Sequence, residues 1–302
     1  MTSTIVITGA TGFIGTALCE KLEEKKEYSI IKVTRSQERI FGFYPVTSYH
    51  QTPPGDILIH LAEDPDRSRV NKMGDQYREK TGDVMESLLK KRYKKIVYCS
   101  SSIVYGDQGI EPYSENMPTY ADDIYSISKL ENEERVICSG GLVTRFSNVI
   151  GNGMSKNNVL SEILKQLSGK DPLTILNIKP IRDFIWIDDA VDAIVSLLQK
   201  DTSGIYNIGS GVETSINKVI ETVLNVSEQH GRKIKSTIKN PDYSYSVLNV
   251  EQIKKVTGWK PKYTLSQSLK KILNSNEKKS HSSFYRKSCR VWTSVSSIKS
   301  DR

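Results

Sequence analysis

The sequence predicts an α/β fold, a doubly wound parallel sheet with a smaller C-terminal lobe. Three observations predict it. Apolar runs of strand length alternate with amphipathic stretches of helical length in the first half of the chain. A glycine-rich loop joins the first run to the first helical stretch, and the alternation becomes irregular after residue 151. At 302 residues the chain is long enough to bury such a core.

The first half contains five predicted strands and three predicted helices. The strands are Ile5–Thr8, Ser29–Thr34, Asp56–Leu61, Lys95–Ser101 and Leu142–Arg145. The helices between them, which carry apolar residues at helical spacing, are Gly12–Lys25, about Asp75–Lys91 and Ile124–Cys138. Because helices separate the strands, we expect residues 1–150 to form a dinucleotide-binding domain with a parallel sheet.

The second half is predicted to be a substrate-binding lobe over residues 151–274, with elements near 182–210 returning to the first domain. Its predicted helices are Asn158–Leu167, around Ala190–Gln199, Asn217–Ser227 and Val250–Thr257, and its short strands are Leu173–Leu176, Asp183–Ile187 and Ile205–Ile208. Asn249 is the expected N-cap of the last helix, and Gly258 is expected to end it. Residues 275–302, rich in Ser, Lys and Arg, are expected to be a disordered tail.

The composition excludes several classes of protein. No apolar run approaches the ~20 residues of a membrane span, so we expect no membrane association. The four cysteines form no C-x-x-C pair and the four histidines are scattered, which argues against a metal site and favours a reducing compartment, the cytoplasm. Residues 277–302 contribute +5 of the formal net charge of +8, so the basic balance does not indicate nucleic-acid binding by the folded body.

The loop after the first strand is a candidate phosphate cradle. Gly9, Thr11 and Gly12 stand in a G-x-x-G-x-x-G pattern that ends at Gly15 and leads into Phe13 and Ile14 of the first helix. Glycines allow close backbone approach to a pyrophosphate, and a helix N-terminus offers unpaired N–H groups. A simple helix-start turn is the alternative, but strand, loop and helix follow in the order that dinucleotide binding requires.

The end of the second predicted strand bears on the choice of cofactor. An acidic side chain about 20 residues after the loop is typical of NAD binding, where it bonds the ribose 2′-OH. Here the strand ends in Thr34, Arg35 and Ser36, with no acid. Arg35 therefore favours NADP over NAD, with NAD left open, because a solvated surface arginine is the alternative.

Tyr125 and Lys129 lie four residues apart on one face of a predicted helix. A phenol with an ordinary pKa near ~10 needs a nearby cation to exchange protons near neutrality, and Lys129 is that cation. Such a pair also arises by chance on helix surfaces. Ser101 strengthens the hypothesis, because ligands bind at the carboxyl ends of parallel strands, where it lies.

Taken in order, these motifs resemble the extended short-chain dehydrogenases of the NAD-dependent epimerase/dehydratase family, over about Thr4–Leu273. The matching segments are TGATGFIG at 8–15, IHLA at 59–62, SSSIVYG at 100–106, YSISK at 125–129, RFSNVIG at 145–151, RDFIWIDD at 182–189, YNIGSG at 206–211 and GWKP at 258–261.

The resemblance implies roles for individual residues. It implies that Tyr125 is the catalytic acid/base, that Ser101 polarises the sugar oxygen, and that Lys129 tunes Tyr125 and holds the nicotinamide ribose. It implies that Asn148 and Arg182 contact the diphosphate of a nucleotide-sugar substrate; without it, Arg182 would be interpreted as a surface charge. The remaining implied cofactor contacts are Gly12, Phe13, Ile14, Leu61 and Ala62. A homodimer built on the two helices Asp75–Lys91 and Ile124–Cys138 is also implied.

The departures from the family pattern narrow the function. The dehydratases carry Asp-Glu after the position of Ser101, where this chain has Ser102 and Ile103, and the 3,5-epimerase/reductases carry a cysteine at the position of Ile103. Both activities are therefore disfavoured. Redox chemistry at C4 of a nucleotide-linked hexose remains, either as a 4-ketoreductase, which the missing acid after the second strand favours, or as a 4-epimerase. A cofactor-sensing regulatory protein without turnover is a third alternative.

Overall fold

The computed structural model describes residues 2–36, 38, 40–169, 172–238 and 243–275. Seven strands of the described chain form one parallel sheet: β1 (Thr4–Thr8), β2 (Ser29–Thr34), β3 (Tyr44–Pro45), β4 (Ile57–His60), β5 (Lys95–Ser101), β6 (Leu142–Phe146) and β11 (Gly204–Ile208). Their order across the sheet is β11-β6-β5-β4-β1-β2-β3. The order runs outward from β1 in both directions, so the sheet is doubly wound, as the sequence predicts.

The helices lie between the strands along the chain. They are α1 (Phe13–Lys25), α2 (Arg67–Met73), α3 (Asp75–Leu89), α4 (Ile124–Cys138), α5 (Val159–Lys165), α6 (Ile187–Leu198), α7 (Ile216–Val226) and α8 (Glu251–Thr257), followed by helical residues 265–275. Single 3₁₀ turns occupy Tyr49–Gln51 and Ser102–Tyr105.

Side-chain alternation along the strands builds a core on each face of the sheet. In β1, Ile5 and Ile7 belong to a core shared with α1 and α6, whereas Val6 belongs to a core shared with α3 and α4. Because successive side chains of a strand point to opposite faces, near-continuous apolar strands are buried on both sides. This arrangement leaves the carboxyl edge of the sheet open between its two helical layers.

The remaining strands form three small sheets. Strand β7 (Asn148–Ile150) pairs with β10 (Phe184–Trp186), and β8 (Leu173–Ile175) pairs with β13 (Ile234–Ser236). Strand β9 (Ile181–Arg182) lies between β12 (Thr214–Ser215) and β14 (Tyr245–Ser246). The boundaries proposed for the two domains stay a prediction, although β11 returns to the main sheet after β7–β10.

One prediction about the C-terminal part of the chain is wrong, and another falls almost wholly outside the described residues. Asn249 is not the N-cap of α8: Val250 occupies that position, and Asn249 Oδ1 accepts a hydrogen bond from the Glu251 N–H at 2.9 Å. The prediction of disorder concerns a tail whose residues 276–302 lie outside the described residues.

Within the described chain, no helix combines the length and apolar character that crossing a membrane requires. A cytoplasmic location stays a prediction.

Candidate active site

The glycine-rich loop requires glycine at two positions, Gly9 and Gly15. Gly9 adopts a φ of 72°, and a Cβ there would lie 2.9 Å from the carbonyl of Leu61. A Cβ on Gly15 would lie 2.2 Å from the Gly9 oxygen, so α1 packs directly against the loop. Among the described residues no side chain caps α1, whose N-cap is Gly12. Its first-turn N–H groups and dipole therefore remain suited to a pyrophosphate.

A cavity of about 370 Å³ opens beside this loop. The predicted cofactor residues that line it are Gly9, Thr11, Gly12, Arg35, Leu61 and Ala62. The Arg35 guanidinium lies 4.8 Å from the ring centroid of Tyr49, which also lines the cavity. The ring thus supports the exposed arginine at the end of β2, where the ribose of a dinucleotide would lie.

A second cavity, of about 520 Å³, holds the predicted catalytic residues and shares Leu61 and Glu63 with the first. The predicted residues that line it are Phe13, Ile14, Leu61, Ser101, Tyr125, Lys129 and Asn148. The two adjoining cavities therefore offer a dinucleotide a continuous path from Arg35 to Tyr125. The glycine loop, the uncapped helix and this path fit NAD(P).

Tyr125 is held at the start of α4 by its backbone. Asp123 caps the helix, with its Oδ1 accepting from the Ser126 N–H at 2.8 Å, and the Tyr125 N–H donates to Asn71 Oδ1 at 3.0 Å. Burial raises the pKa of the Tyr125 phenol, and the Lys129 ammonium only partly opposes this rise. The side chain is therefore a phenol, able to donate a proton, at neutral pH.

Lys129 is buried behind Tyr125 on the same helix. Its Nζ donates to the Cys99 carbonyl at 3.0 Å and lies 5.1 Å from the ring centroid of Tyr98. A carboxylate oxygen of Glu63 lies 2.8 Å from the same Nζ. Burial is the largest influence on Lys129 and lowers its pKa, but Glu63, Tyr125 and Tyr77 together outweigh it, so the net pKa is raised and the ammonium stays charged.

Ser101 ends β5 and is half-buried in the wall of the second cavity. Its Oγ accepts a hydrogen bond from the Ile103 N–H at 3.3 Å, so the hydroxyl proton can be directed elsewhere. The carboxyl end of β5 thus presents a hydroxyl to the cavity that Tyr125 also faces.

Asn148 and Arg182 lie at the entrance toward the smaller lobe. Asn148 lines both the catalytic cavity and a neighbouring one of about 550 Å³, which Arg182 lines. The Arg182 guanidinium donates to the Ser244 carbonyl at 3.0 Å and to Ser244 Oγ at 2.8 Å. Arg182 therefore does not line the catalytic cavity itself. It lines the neighbouring cavity, which adjoins the catalytic one at Asn148.

Three residues of the candidate site were not predicted from the sequence: Asn71, which binds the Tyr125 backbone, Tyr49, which supports Arg35, and Glu63, which pairs with Lys129. Glu63 follows β4 by three residues and lies in none of the motifs, so its pairing with Lys129 had no signal in the sequence. No cluster of three or more candidate metal ligands occurs within the described ranges.

Comparisons with known proteins identify the family of the chain. The family model described as the NAD dependent epimerase/dehydratase family matches residues 5–209. A putative UDP-glucose 4-epimerase of Methanocaldococcus jannaschii is 26% identical, covering 89% of this chain and 97% of that protein. The dTDP-4-dehydro-6-deoxyglucose reductase of Escherichia coli is 26% identical, covering 90% of this chain and 96% of that protein.

Solved structures share the fold. UDP-glucose 4-epimerase of Thermotoga maritima, determined with UDP-glucose, superposes with a TM-score of 0.80 at 21% identity, covering 91% of this chain and 99% of that one. RMD from Pseudomonas aeruginosa, complexed with NADPH, superposes with a TM-score of 0.78 at 24% identity, covering 91% and 97% of the two chains.

Proposed function

The chain belongs to the NAD-dependent epimerase/dehydratase family, and on that premise we propose that it is a nucleotide-sugar 4-ketoreductase. When bound, NADPH supplies a hydride to C4 of a keto sugar carried on a nucleotide diphosphate. The residues of this chain bind the substrate, orient its carbonyl and supply the proton. Both reductases and epimerases occur among the relatives.

The observation that carries the proposal is the joint placement of Ser101, Tyr125 and Lys129 in one cavity at the carboxyl edge of the sheet. Ser101 Oγ can donate a hydrogen bond to the keto oxygen, and Tyr125 can donate the proton that this oxygen gains on reduction. Lys129 holds a positive charge beside the phenol. Two hydroxyl donors converging on one oxygen suit reduction of a carbonyl.

The residues directly after β2 favour reduction over epimerisation. A reductase takes hydride from added NADPH, and a site with Arg35 and no acid suits the 2′-phosphate of that cofactor, whereas a 4-epimerase returns the hydride from NAD that stays bound. The 4-epimerase is the second candidate, which the similarity to the Methanocaldococcus protein favours.

The proposed preference for NADP rests on Arg35. Its guanidinium is held over Tyr49 beside the cavity that the glycine loop lines. The described residues at the end of β2, Thr34 to Ser36, include no carboxylate that would repel a 2′-phosphate. An arginine fork can meet two phosphate oxygens with paired hydrogen bonds.

The diphosphate of the substrate is proposed to bind between Asn148 and Arg182. Asn148 Nδ2 donates to the Asp183 carbonyl at 3.0 Å, which orients its amide beside the catalytic cavity. The Arg182 guanidinium lines the adjoining cavity, and its charge suits phosphate oxygens. This arrangement would direct the sugar toward Tyr125 and the nucleotide toward α5 and α7.

The test is turnover of a panel of UDP-, GDP- and dTDP-linked 4-keto-6-deoxyhexoses with NADPH or NADH, followed by loss of reduced-cofactor absorbance and analysis of the product. We expect one nucleotide series to be reduced, with kcat/KM at least about tenfold higher for NADPH, since charge-assisted hydrogen bonds to one phosphate supply roughly that ratio. Interconversion of 4-hydroxy epimers without consumption of added cofactor would replace the reductase with the epimerase.

We also propose a homodimer built on α3 and α4. These helices pack against the same core, and Arg78 of α3 donates to Glu131 of α4 at 2.8 Å. Sedimentation at micromolar concentration should give twice the mass of one chain, and a single-chain mass would refute the dimer.

A further inference from the structure

Asn71 joins two helices that meet beside the catalytic cavity. It lies on α2, and its Oδ1 accepts a hydrogen bond from the Tyr125 N–H of α4 at 3.0 Å. Its Nδ2 donates to Oδ2 of Asp123, the N-cap of α4, at 2.8 Å. Both ends of the Asn71 amide therefore bind the start of α4. The N–H of one partner and the carboxylate of the other determine which end faces which.

The bond to Tyr125 supplies an acceptor that α4 does not contain. Tyr125 is the second residue of the helix, and the first N–H groups of a helix have no carbonyl partner within it. Asp123 Oδ1 accepts from the Ser126 N–H at 2.8 Å, so the N-cap serves the third residue and Asn71 serves the second. Water could satisfy the same N–H without fixing its position. A side chain from another helix fixes it.

The helix that carries Asn71 is itself anchored. Arg67 lies one turn before Asn71, and its Nε donates to the same Asp123 oxygen. Val70 is fully buried, and the Asp66 side chain caps the first turn of α2. Two side chains of a well-held helix thus bind the start of α4.

The segment before α2 forms part of the wall of both cavities. Leu61, Glu63 and Asp64 line the cofactor cavity and the catalytic cavity alike. Asn71 therefore links the segment beside which a cofactor would bind to the backbone of the proposed acid/base. Hydride and proton transfer at one carbonyl require both donors at set positions, and a displacement of about 1 Å can cost about 10² in rate.

We propose that Asn71 is a positioning residue, which holds Tyr125 where proton transfer to or from the sugar oxygen requires it. The described residues that line the catalytic cavity do not include Asn71, so it acts through the Tyr125 backbone. The inference rests on the proposed function for the role of Tyr125. It does not depend on the direction of the reaction, because the reductase and the epimerase would use the same phenol.

The decisive variant is Asn71→Asp, tested alone and together with Asp123→Asn. Alone it keeps an acceptor for the Tyr125 N–H but sets a second carboxylate against Asp123, and the repulsion should displace the start of α4. We expect kcat to fall about tenfold or more, with KM and cofactor affinity within about twofold, as when an interaction of the transition state is lost. The double variant restores a donor and an acceptor between the two positions and should recover most of kcat.

Hydrogen exchange measures the same contact without substrate. The full chain is labelled with ¹⁵N at tyrosine, and the spectrum of Tyr125→Phe assigns its amide among the 15 tyrosines. This N–H should exchange slowly in the unmodified protein and at least about tenfold faster in Asn71→Ala, which removes the acceptor. Lys72→Ala, at the exposed position next along α2, is the matched control and should change neither the exchange nor kcat.

Several results would overturn the proposal. They are fast exchange of the Tyr125 amide in the unmodified protein, an unchanged kcat in Asn71→Asp, a loss of kcat that the folded double variant does not recover, and an equal loss in Lys72→Ala. If Asn71→Asp does not fold, Asn71→Ala decides, because it introduces no repulsion and its kcat should still fall. The rate measured is that of whichever reaction the protein catalyses. The expected pattern in an epimerase would refute the reductase alone, and its absence in a reductase would refute the role of Asn71 alone.

Discussion

Replacing Arg35 with alanine should weaken the binding of NADPH but not the binding of NADH. Arg35 directly follows β2 and lines the cavity beside the glycine loop, with its guanidinium 4.8 Å from the centroid of Tyr49. In the proposed complex its fork binds the ribose 2′-phosphate, a group that NADH lacks. The substitution therefore removes a contact that only one of the two cofactors can make.

The exposure of Arg35 sets the size of the effect. A hydrogen bond to a charged group contributes about 1.5–3 kcal/mol. Because Arg35 is exposed, solvent and salt screen the interaction, and the lower end applies. About 1.5 kcal/mol corresponds to a loss of roughly tenfold in affinity for NADPH. The affinity of Arg35→Lys for NADPH should lie between those of the unmodified protein and Arg35→Ala, because lysine keeps the charge but lacks the guanidinium fork.

Isothermal titration calorimetry with both cofactors measures this difference. In the unmodified protein, NADPH binding should weaken as the salt concentration rises. This salt dependence should be smaller in Arg35→Ala. Tyr49→Phe is the matched control, because it keeps the ring that supports the guanidinium and should retain the affinity for NADPH. Equal losses for NADPH and NADH, or an unmodified protein that prefers NADH, would refute the assignment of NADP.

Three other predictions test the remaining parts of the site. Tyr125→Phe removes the transferable proton but leaves the cofactor cavity intact, so turnover should fall by about 10² or more with little change in cofactor affinity by calorimetry; retained turnover would contradict its role. Gly15→Ala places a Cβ 2.2 Å from the Gly9 oxygen and should displace the loop. Cofactor affinity should then fall at least about tenfold, because the phosphates lose charge-assisted hydrogen bonds, and the Tm should decrease. An unchanged affinity would show that this loop does not form the cradle. Burial tends to raise the pKa of Asp123, but hydrogen bonds from Ser126, Asn71 and Arg67 lower it to about 2. The stability that the ionised Asp123 contributes is therefore fully present above pH ~4 and is lost as the pH falls toward about 2. The Tm of Asp123→Asn should depend less on pH over that range than the Tm of the unmodified protein. An unchanged dependence would contradict the stabilising role of the Asp123 carboxylate.

The regular elements could be predicted because their patterns are local. The bounds predicted for β2, β5 and α4, from Ser29 to Thr34, from Lys95 to Ser101 and from Ile124 to Cys138, match the structure residue for residue. The two-residue strands β9, β12 and β14 could not be found, because a strand of two residues has no measurable alternation. Their pairing depends on the packing of the smaller lobe.

The candidate site was predictable where a motif carries it. Gly9, Ser101 and Tyr125 lie in patterns with a chemical reason, and the structure brings them to the same edge of the sheet. Glu63 was not predictable, because its meaning depends on Lys129, which lies 66 positions further along the chain in a different element. A lone acid after a strand has no pattern of its own.

The direction of hydride transfer tests the central claim most directly. The protein is incubated with NADPH carrying deuterium at the transferable position of the nicotinamide, together with the 4-keto sugar nucleotide that it turns over, and the product is examined by NMR and mass spectrometry. A ketoreductase that uses Tyr125 as proton donor predicts one deuterium at C4 of the sugar for each cofactor oxidised, with Tyr125→Phe forming almost none. Conversion of a 4-hydroxy sugar nucleotide to its epimer, with no deuterium incorporated and no cofactor consumed, would contradict it.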